Sequence, residues 1–178
     1  PEMKIKAWKR IKTSYKNQRN QKKYIEKINE MGHFLERSMK KTSKSPLIKK
    51  AWWDNEIMHA RAIWTTHNRK KASKILKALL KKSDIPPTQK AYTLFILASI
   101  EIEKKKYSNA LSFLFKADKV QFIKEELKNK ITWSIGWNYF LLNQFKRSAK
   151  YFEDARKKNN KYYLQLKFSF WESISPVS

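Results

Sequence analysis

The chain has 178 residues, of which 41% are hydrophobic and 14% aromatic, and this is enough apolar material to exclude a compositionally disordered chain. It contains only 2 Gly and 5 Pro, too few for the many tight turns of sandwiches and barrels or for the glycine-rich loops of α/β enzymes, so an all-α fold is favoured. The absence of cysteine excludes disulfides and thiolate metal sites.

The charge is strongly basic, with 41 Lys and Arg against 15 Asp and Glu, a formal net charge of +26. A surface of this kind attracts polyanions, so nucleic acid, anionic lipid and anionic cell wall are all candidate partners. The same composition also arises where lysine simply supplies polar surface on helices, and the charge alone does not decide between these interpretations. No apolar run reaches the ~18 residues of a membrane span.

Residues 1–45 are predicted to form a basic N-terminal helical arm. The helical spacing of five apolar residues predicts a helix over 21–40: Ile25, Ile28, Met31, Leu35 and Met39. Residues 3–16 place apolar side chains in a very basic background and are predicted to be either a helix or a loosely ordered arm. The stretch "KKTSKSP" at 40–46 is predicted to be a loop.

Residues 46–178 are predicted to be a helical repeat domain of about three helix pairs plus a terminal helix. Apolar spacings of three and four predict the pairs 50–66 with 68–82, 88–104 with 107–119, and 124–142 with 145–158. "SDIPPT" at 83–88 separates the first two pairs, because two consecutive prolines cannot lie inside a helix. Residues 161–174, "KYYLQLKFSFWESI", are predicted to be a further helix, either a terminal cap or, the interpretation we favour, the first half of a repeat whose second helix is missing.

The three pairs align with a constant step of 38 residues. Small residues recur at this step in both helices of each pair, and apolar residues follow them in register: Ala60, Ala98, Gly136; Ala72, Ala110, Ser148; Leu76, Leu114, Phe152; Leu79, Ala117, Ala155. This pattern resembles the tetratricopeptide repeat (TPR), with a slightly longer period. The predicted fold is therefore all-α, with tetratricopeptide-like helical-hairpin repeats stacked into a superhelix.

Gly136 lies in the small-residue column of the third pair. A side chain there would push the paired helices apart, and closer packing is expected to offset the cost of about 1 kcal/mol that glycine carries relative to alanine in a helix.

The third pair also resembles a more specific family. "TWSIGWNYFLLNQFKRSAKYFEDA" at 132–155, followed by "FSFWES" at 168–173, is similar to the superhelical region of the soluble lytic transglycosylases, periplasmic enzymes that cleave peptidoglycan. Six residues match the family's helical pattern: Trp133, Gly136, Trp137, Phe145, Ala149 and Phe152. Phe170 and Trp171 take the place of its Tyr-Trp pair, whereas Ser173 and Ile174 depart from its Ala-Arg. The resemblance implies a periplasmic or cell-envelope protein.

Catalysis in that family belongs to a separate lysozyme-like domain, which uses one glutamate surrounded by glycine-rich motifs. This chain contains no such segment, so we predict no catalytic residue, and whether the chain is a fragment of a lytic transglycosylase stays open. His33, His59 and His67 are scattered, and neither a metal site nor a cofactor is predicted.

Aromatic and basic side chains on the first helix of each pair are the predicted ligand-binding residues, because in stacked helix pairs the first helices line the concave face. The set is Trp53, Arg61, Trp64, Phe95, Trp133 and Trp137. Trp53 is included because it is adjacent to Trp52, and two consecutive residues point to different faces of a helix, so at least one ring is expected to be exposed or to lie between domains. The alternative is that these aromatics fill the core between repeats.

Three functions follow from these observations. The first is a non-catalytic helical module of a lytic-transglycosylase-like cell-wall protein, which binds or positions peptidoglycan or a catalytic domain. The second is a tetratricopeptide-type adaptor that binds an extended peptide of a partner protein. The third is a basic nucleic-acid-binding helical protein, whose affinity would fall steeply with salt.

Overall fold

The computed structural model describes residues 2–17, 19–41 and 45–158, and within these ranges all regular secondary structure is α-helical. The helices are α1 (Glu2–Asn17), α2 (Gln21–Lys41), α3 (Pro46–Thr65), α4 (Arg69–Leu80), α5 (Pro87–Glu103), α6 (Tyr107–Asp118), α7 (Glu125–Leu141) and α8 (Phe145–Lys158). None of these described helices is both long and apolar enough to cross a bilayer. The helix predicted over 161–174 lies outside the described residues.

The six helices predicted between residues 50 and 158 are confirmed, and the helices of the first and third predicted pairs, α3 with α4 and α7 with α8, pack on each other. The predicted boundaries of α3 to α8 differ from the observed ones by a few residues, and the break before α5 ends at the predicted proline pair. Proline starts both α3 and α5, where its missing N–H removes no intrahelical hydrogen bond. Residues 2–17, for which the sequence left two interpretations open, form a helix.

The chain divides into two compact units, residues 1–96 and 97–178, and the division falls within α5. In the first unit α1 packs on α2, α2 on α3, and α3 on α4. The predicted domain boundary between residues 45 and 46 stays a prediction.

A buried amide joins the first three helices. Asn55 of α3 is 1% exposed, and its Nδ2 donates to the carbonyl oxygen of Ile28 in α2 at 3.0 Å. The ammonium of Lys12 in α1 donates to Asn55 Oδ1 at 3.2 Å. Both polar atoms of the side chain are therefore satisfied, as a buried amide requires.

The tryptophan pair of α3 belongs to the core. Trp52 is 8% exposed and Trp53 is 1% exposed, and their rings meet edge to face with centroids 4.9 Å apart. Neither ring is exposed, because α3 packs on both α2 and α4; a place between domains, the other expectation for these rings, stays a prediction. A helix that packs on two neighbours buries adjacent residues as well as those on a single face.

The turn within each helix pair is built the same way three times. His67, Lys105 and Asn143 have φ of 62°, 59° and 57°, and they are separated by 38 residues. The N–H of each donates to the carbonyl oxygen three residues earlier, at 2.8–2.9 Å. This left-handed residue ends the first helix of the pair and reverses the chain, in a place where glycine is the usual residue.

In the second unit α6 packs on α7 and α7 packs on α8. Gly136 lies where α7 is in close contact with α8, since a Cβ placed on it would be 3.0 Å from two ring carbons of Phe152 and 3.2 Å from Cβ of Tyr151. The structure thus agrees with the predicted role of a small residue at this position.

Candidate functional site

Five aromatic residues form a continuous surface on the second unit, which we call the α7–α8 aromatic surface. Its members are Trp133, Trp137, Phe140, Phe145 and Phe152. The rings of Trp133 and Trp137 are nearly parallel, with centroids 5.9 Å apart, and Trp137 and Phe140 continue the stack at 5.3 Å. Phe145 meets Phe140 at 5.7 Å, and Phe152 meets Trp133 at 5.8 Å.

The sequence builds this surface through helical spacing and a short turn. Trp133, Trp137 and Phe140 are separated by four and three residues, so they share one face of α7. The turn between the helices returns the chain at once and places Phe145 at the start of α8 beside Phe140. The close approach at Gly136 brings Phe152 of α8 against Trp133.

Part of this aromatic surface is accessible. Phe145 is 57% exposed and Phe140 is 39% exposed, while Trp133 and Trp137 are half-buried. Large hydrophobic side chains with this exposure, held together in one cluster, are typical of interaction surfaces.

The electrostatic surroundings are basic. Lys146, Arg147 and Lys150 are exposed on α8, directly after Phe145. The guanidinium of Arg147 lies 5.7 Å from the ring centroid of Tyr139 and donates to Gln144 Oε1 at 2.9 Å. An anionic group beside an apolar ligand would therefore be attracted to this end of the surface.

A second polar-aromatic cluster, the α3–α5 cluster, lies in the first unit. Arg61 Nη1 donates to the hydroxyl oxygen of Tyr92 at 2.5 Å, and its guanidinium carbon lies 5.8 Å from the centroid of the same ring. Tyr92 stacks on Phe95 with centroids 6.5 Å apart and planes 12° apart. Arg61 is exposed and Phe95 is half-buried, so the cluster presents a cation beside an aromatic face.

Burial separates one member of the predicted ligand-binding set from the others. Trp53 is in the core, and its burial removes the surface that the predicted binding role needs. Arg61 and Phe95 are joined through Tyr92, and Trp64 is half-buried on the same helix as Arg61. Trp133 and Trp137 are stacked on each other. A ligand-binding role for the accessible members stays a prediction.

The sequence interpretation missed Tyr92, Phe140, Phe145 and Phe152 as members of these clusters. Tyr92 and Phe140 had a usable signal, because each lies three residues from a predicted member on the same helix face. The contact of Phe152 with Trp133 depends on how closely two helices approach, and no local pattern reports that distance.

Two half-buried titratable groups of the first unit have shifted pKa values. No three His, Cys, Asp or Glu side chains among the described residues lie close enough to hold a metal ion. Burial, with Lys71 nearby, lowers the pKa of His59. Burial and the neighbouring Glu36 raise the pKa of Glu56, opposed by a hydrogen bond from Asn55. These shifts arise from packing between helices.

Comparison with known proteins identifies the fold. No protein-family profile and no curated protein matches the sequence. Two solved structures are similar to the chain, both of nearly identical TPR-like repeats of a Podosopora anserina protein described as a kinesin light chain, and one of them is a single-substitution variant. Their TM-scores are 0.62 and 0.60 at 13% identity, and each match covers 85% of this chain and 73% of the other.

The chain therefore has an all-α, TPR-like helical repeat fold. At this identity the similarity concerns the fold alone. Neither of these two structures is a lytic transglycosylase, so that resemblance receives no support from them.

Proposed function

We propose that this chain is a protein-interaction module of the tetratricopeptide type, which binds an extended peptide segment of a partner protein. The observation that carries the proposal is the stack of Trp133, Trp137 and Phe140, accessible on one face of a helix in a TPR-like fold. Rigid aromatic side chains contribute large contact areas at a small cost in conformational entropy, and they dominate the energy of many protein interfaces.

The chemistry of the preferred peptide follows from the surroundings of the stack. Trp137 and Phe140 favour an aromatic or aliphatic side chain, and Lys146, Arg147 and Lys150 on α8 favour acidic residues beside it. We therefore expect acidic peptides that carry an aromatic or a large aliphatic residue. The α3–α5 cluster repeats this combination on a smaller scale, with the Arg61 guanidinium beside Tyr92 and Phe95.

A library of random displayed dodecapeptides, selected on the immobilised chain, tests the proposal. We expect enrichment of acidic peptides with aromatic residues, and we expect Trp137→Ala to weaken the selected peptides at least tenfold in fluorescence anisotropy. Trp8→Ala is the matched control, because Trp8 is also half-buried but lies on α1, where the Lys27 ammonium is 5.9 Å from its ring centroid. Equal loss in both variants would refute the assignment of the site.

The cell-wall and nucleic-acid hypotheses give different results in parallel assays. Co-sedimentation with purified sacculi at ~0.3 M salt, together with an absence of selected peptides, would favour peptidoglycan. Binding of duplex or single-stranded DNA that falls steeply over the same salt series would indicate counterion release at a generic basic surface.

A further inference from the structure

A cavity lies between the first three helices, and a basic face of α1 lines part of it. Its volume is about 370 Å³, which is at the small end of the range of ligand sites. To its lining α1 contributes Lys9, Lys12 and Lys16, and α3 contributes Asp54 and Met58. None of these residues belongs to the α7–α8 aromatic surface or to the α3–α5 cluster, so the cavity is a separate candidate site.

The spacing of the three lysines brings them to one side of the helix. Lys9, Lys12 and Lys16 are separated by three and four residues, and like charges at these spacings repel each other. Lys9 and Lys16 are exposed and Lys12 is half-buried, so all three side chains are accessible to a ligand. Within the described part of the chain none of the three forms an ion pair. The repulsion between them is therefore not relieved by a neighbouring carboxylate.

Lys12 is held in place by a neutral partner. Its Nζ donates to Oδ1 of Asn55 at 3.2 Å, and Asn55 is itself buried and bonded to the main chain of α2. Burial, and after it the charge of Lys9, lower the pKa of Lys12, while Asp54 acts in the opposite direction. An ammonium group has three donors, of which Asn55 takes one. An anion in the cavity would accept from the others and supply the missing countercharge.

The charge of the lining indicates which anion fits. Three ammonium groups and the carboxylate of Asp54 leave two positive charges unbalanced. The phosphate group of a monoester carries a charge of about −1.5 to −2 at pH 7 and has three strong acceptor oxygens. A carboxylate or a phosphodiester supplies only one negative charge. Asp54 is engaged elsewhere, since its Oδ1 accepts a hydrogen bond from Nε2 of Gln89 at 3.0 Å.

We propose that this cavity binds the phosphate group of a phosphomonoester, whose oxygens accept hydrogen bonds from the ammonium groups of Lys9, Lys12 and Lys16. The site is additional to the proposed function, because it uses no residue of the aromatic surface. The phosphate belongs either to a small free ester or to a phosphorylated side chain of a partner. The recognised chemistry is the same in both cases, and the test separates them.

The test uses phenyl phosphate as the probe and nuclear magnetic resonance of methyl-labelled methionines as the readout. We expect a saturable shift of the Met58 methyl signal and no shift of Met3, which is 84% exposed and lies outside the cavity. Methyl phenyl phosphate, a diester with a single charge, is the control compound and should bind about tenfold more weakly. Equal binding of the diester would overturn the proposal and indicate a general attraction for phosphodiesters such as nucleic acid. The absence of saturation would also overturn it.

Two variants should change the affinity for phenyl phosphate in opposite directions. Lys12→Gln should weaken binding about tenfold, because it removes the central ammonium group. Asp54→Asn should tighten binding about threefold, because it removes the opposing charge and keeps an oxygen for Gln89. Damage to the fold weakens binding and does not tighten it, so Asp54→Asn is decisive even if Lys12→Gln is unstable. Unchanged or weaker binding by Asp54→Asn would overturn the proposal.

Lys22→Gln and Asp84→Asn are the matched control variants. They make the same changes in charge at exposed positions of the first unit that do not line the cavity. Both should leave the affinity unchanged. Effects as large as those of the cavity variants would overturn the proposal, because they would show that net charge alone determines binding.

A second probe, N-acetyl-O-phosphotyrosine amide, identifies the source of the phosphate. Tighter binding than that of phenyl phosphate would assign the site to a phosphorylated side chain, because the main-chain groups then contribute. Equal or weaker binding would assign it to a small free ester. Both results support the phosphate site, and failure of both probes to bind would overturn it without affecting the proposed function, which the peptide library tests.

Discussion

Replacing Gly136 with leucine tests how α7 and α8 pack. A Cβ at this position would lie 3.0 Å from Cδ1 and Cε1 of Phe152, whereas ordinary van der Waals contact begins at 3.4 Å. It would also lie 3.2 Å from Cβ of Tyr151, an atom that is fixed to the backbone of α8. The first added carbon alone therefore requires a displacement of about 0.4 Å, and leucine adds three more carbons.

The magnitude follows from two opposing effects. Overpacking of this kind costs about 3 kcal/mol at its upper range. Removing glycine from a helix interior returns about 1 kcal/mol. We expect a net loss of about 2 kcal/mol, which lowers the melting temperature of a chain of this size by about 4–8 °C.

Thermal unfolding followed by circular dichroism measures this loss, and tryptophan fluorescence reports whether the Trp133 environment changes as Phe152 moves. Ala149→Leu is the matched control. It adds the same three carbons to an exposed position of α8. The control should melt at the same or a higher temperature. An unchanged melting temperature for Gly136→Leu would refute the reasoning.

Three further predictions concern stability. Lys105→Gly should raise the melting temperature, because glycine adopts the left-handed conformation of this turn without strain. Lys150→Gly, at an exposed position inside α8 and with the same change in charge, is the control and should lower the stability by about 1 kcal/mol. Equal shifts in the two variants would refute the role of the turn. Glu56→Gln should stabilise the protein at pH 7. Burial and Glu36 raise the pKa of Glu56 in the folded state, so its carboxylate disfavours folding at neutral pH. The stability advantage of the variant should shrink as the pH falls through the folded pKa towards the ordinary glutamate value. A constant difference in melting temperature across that range would contradict this assignment. Asn55→Ala should cost about 2 kcal/mol in urea unfolding, because it removes the hydrogen bonds that Asn55 makes with Ile28 and Lys12 and leaves a cavity between the helices. A loss no larger than that of an exposed Asn→Ala change would contradict it.

The helices and their pairing were predictable because they depend on a periodic signal within the chain. The 38-residue step placed Ala60, Ala98 and Gly136 in one column, and all three are buried in the structure. The same step also places the turns, since His67, Lys105 and Asn143 are in register. Their residue types differ too much for the sequence to indicate that all three share a left-handed conformation.

The candidate sites were predictable only in part. The stacking of Trp133 on Trp137 follows from helical spacing, but the burial of Trp53 depends on how many neighbours cover α3, which is a property of the packed unit. No sequence signal indicated that Asn129 is buried without a hydrogen-bond partner, because an isolated asparagine in a helix is usually paired or exposed. Its unpaired amide becomes visible only when the surrounding atoms are known.

The helix packings within each unit join helices that are consecutive in the chain, from α1 on α2 to α7 on α8. Contacts so close in sequence require little loop-closure entropy, and chains of low contact order fold quickly. Each hairpin can therefore form as soon as its second helix leaves the ribosome, without waiting for distant segments of the chain. A defect in one hairpin should accordingly damage its immediate neighbours first and leave the more distant hairpins able to form.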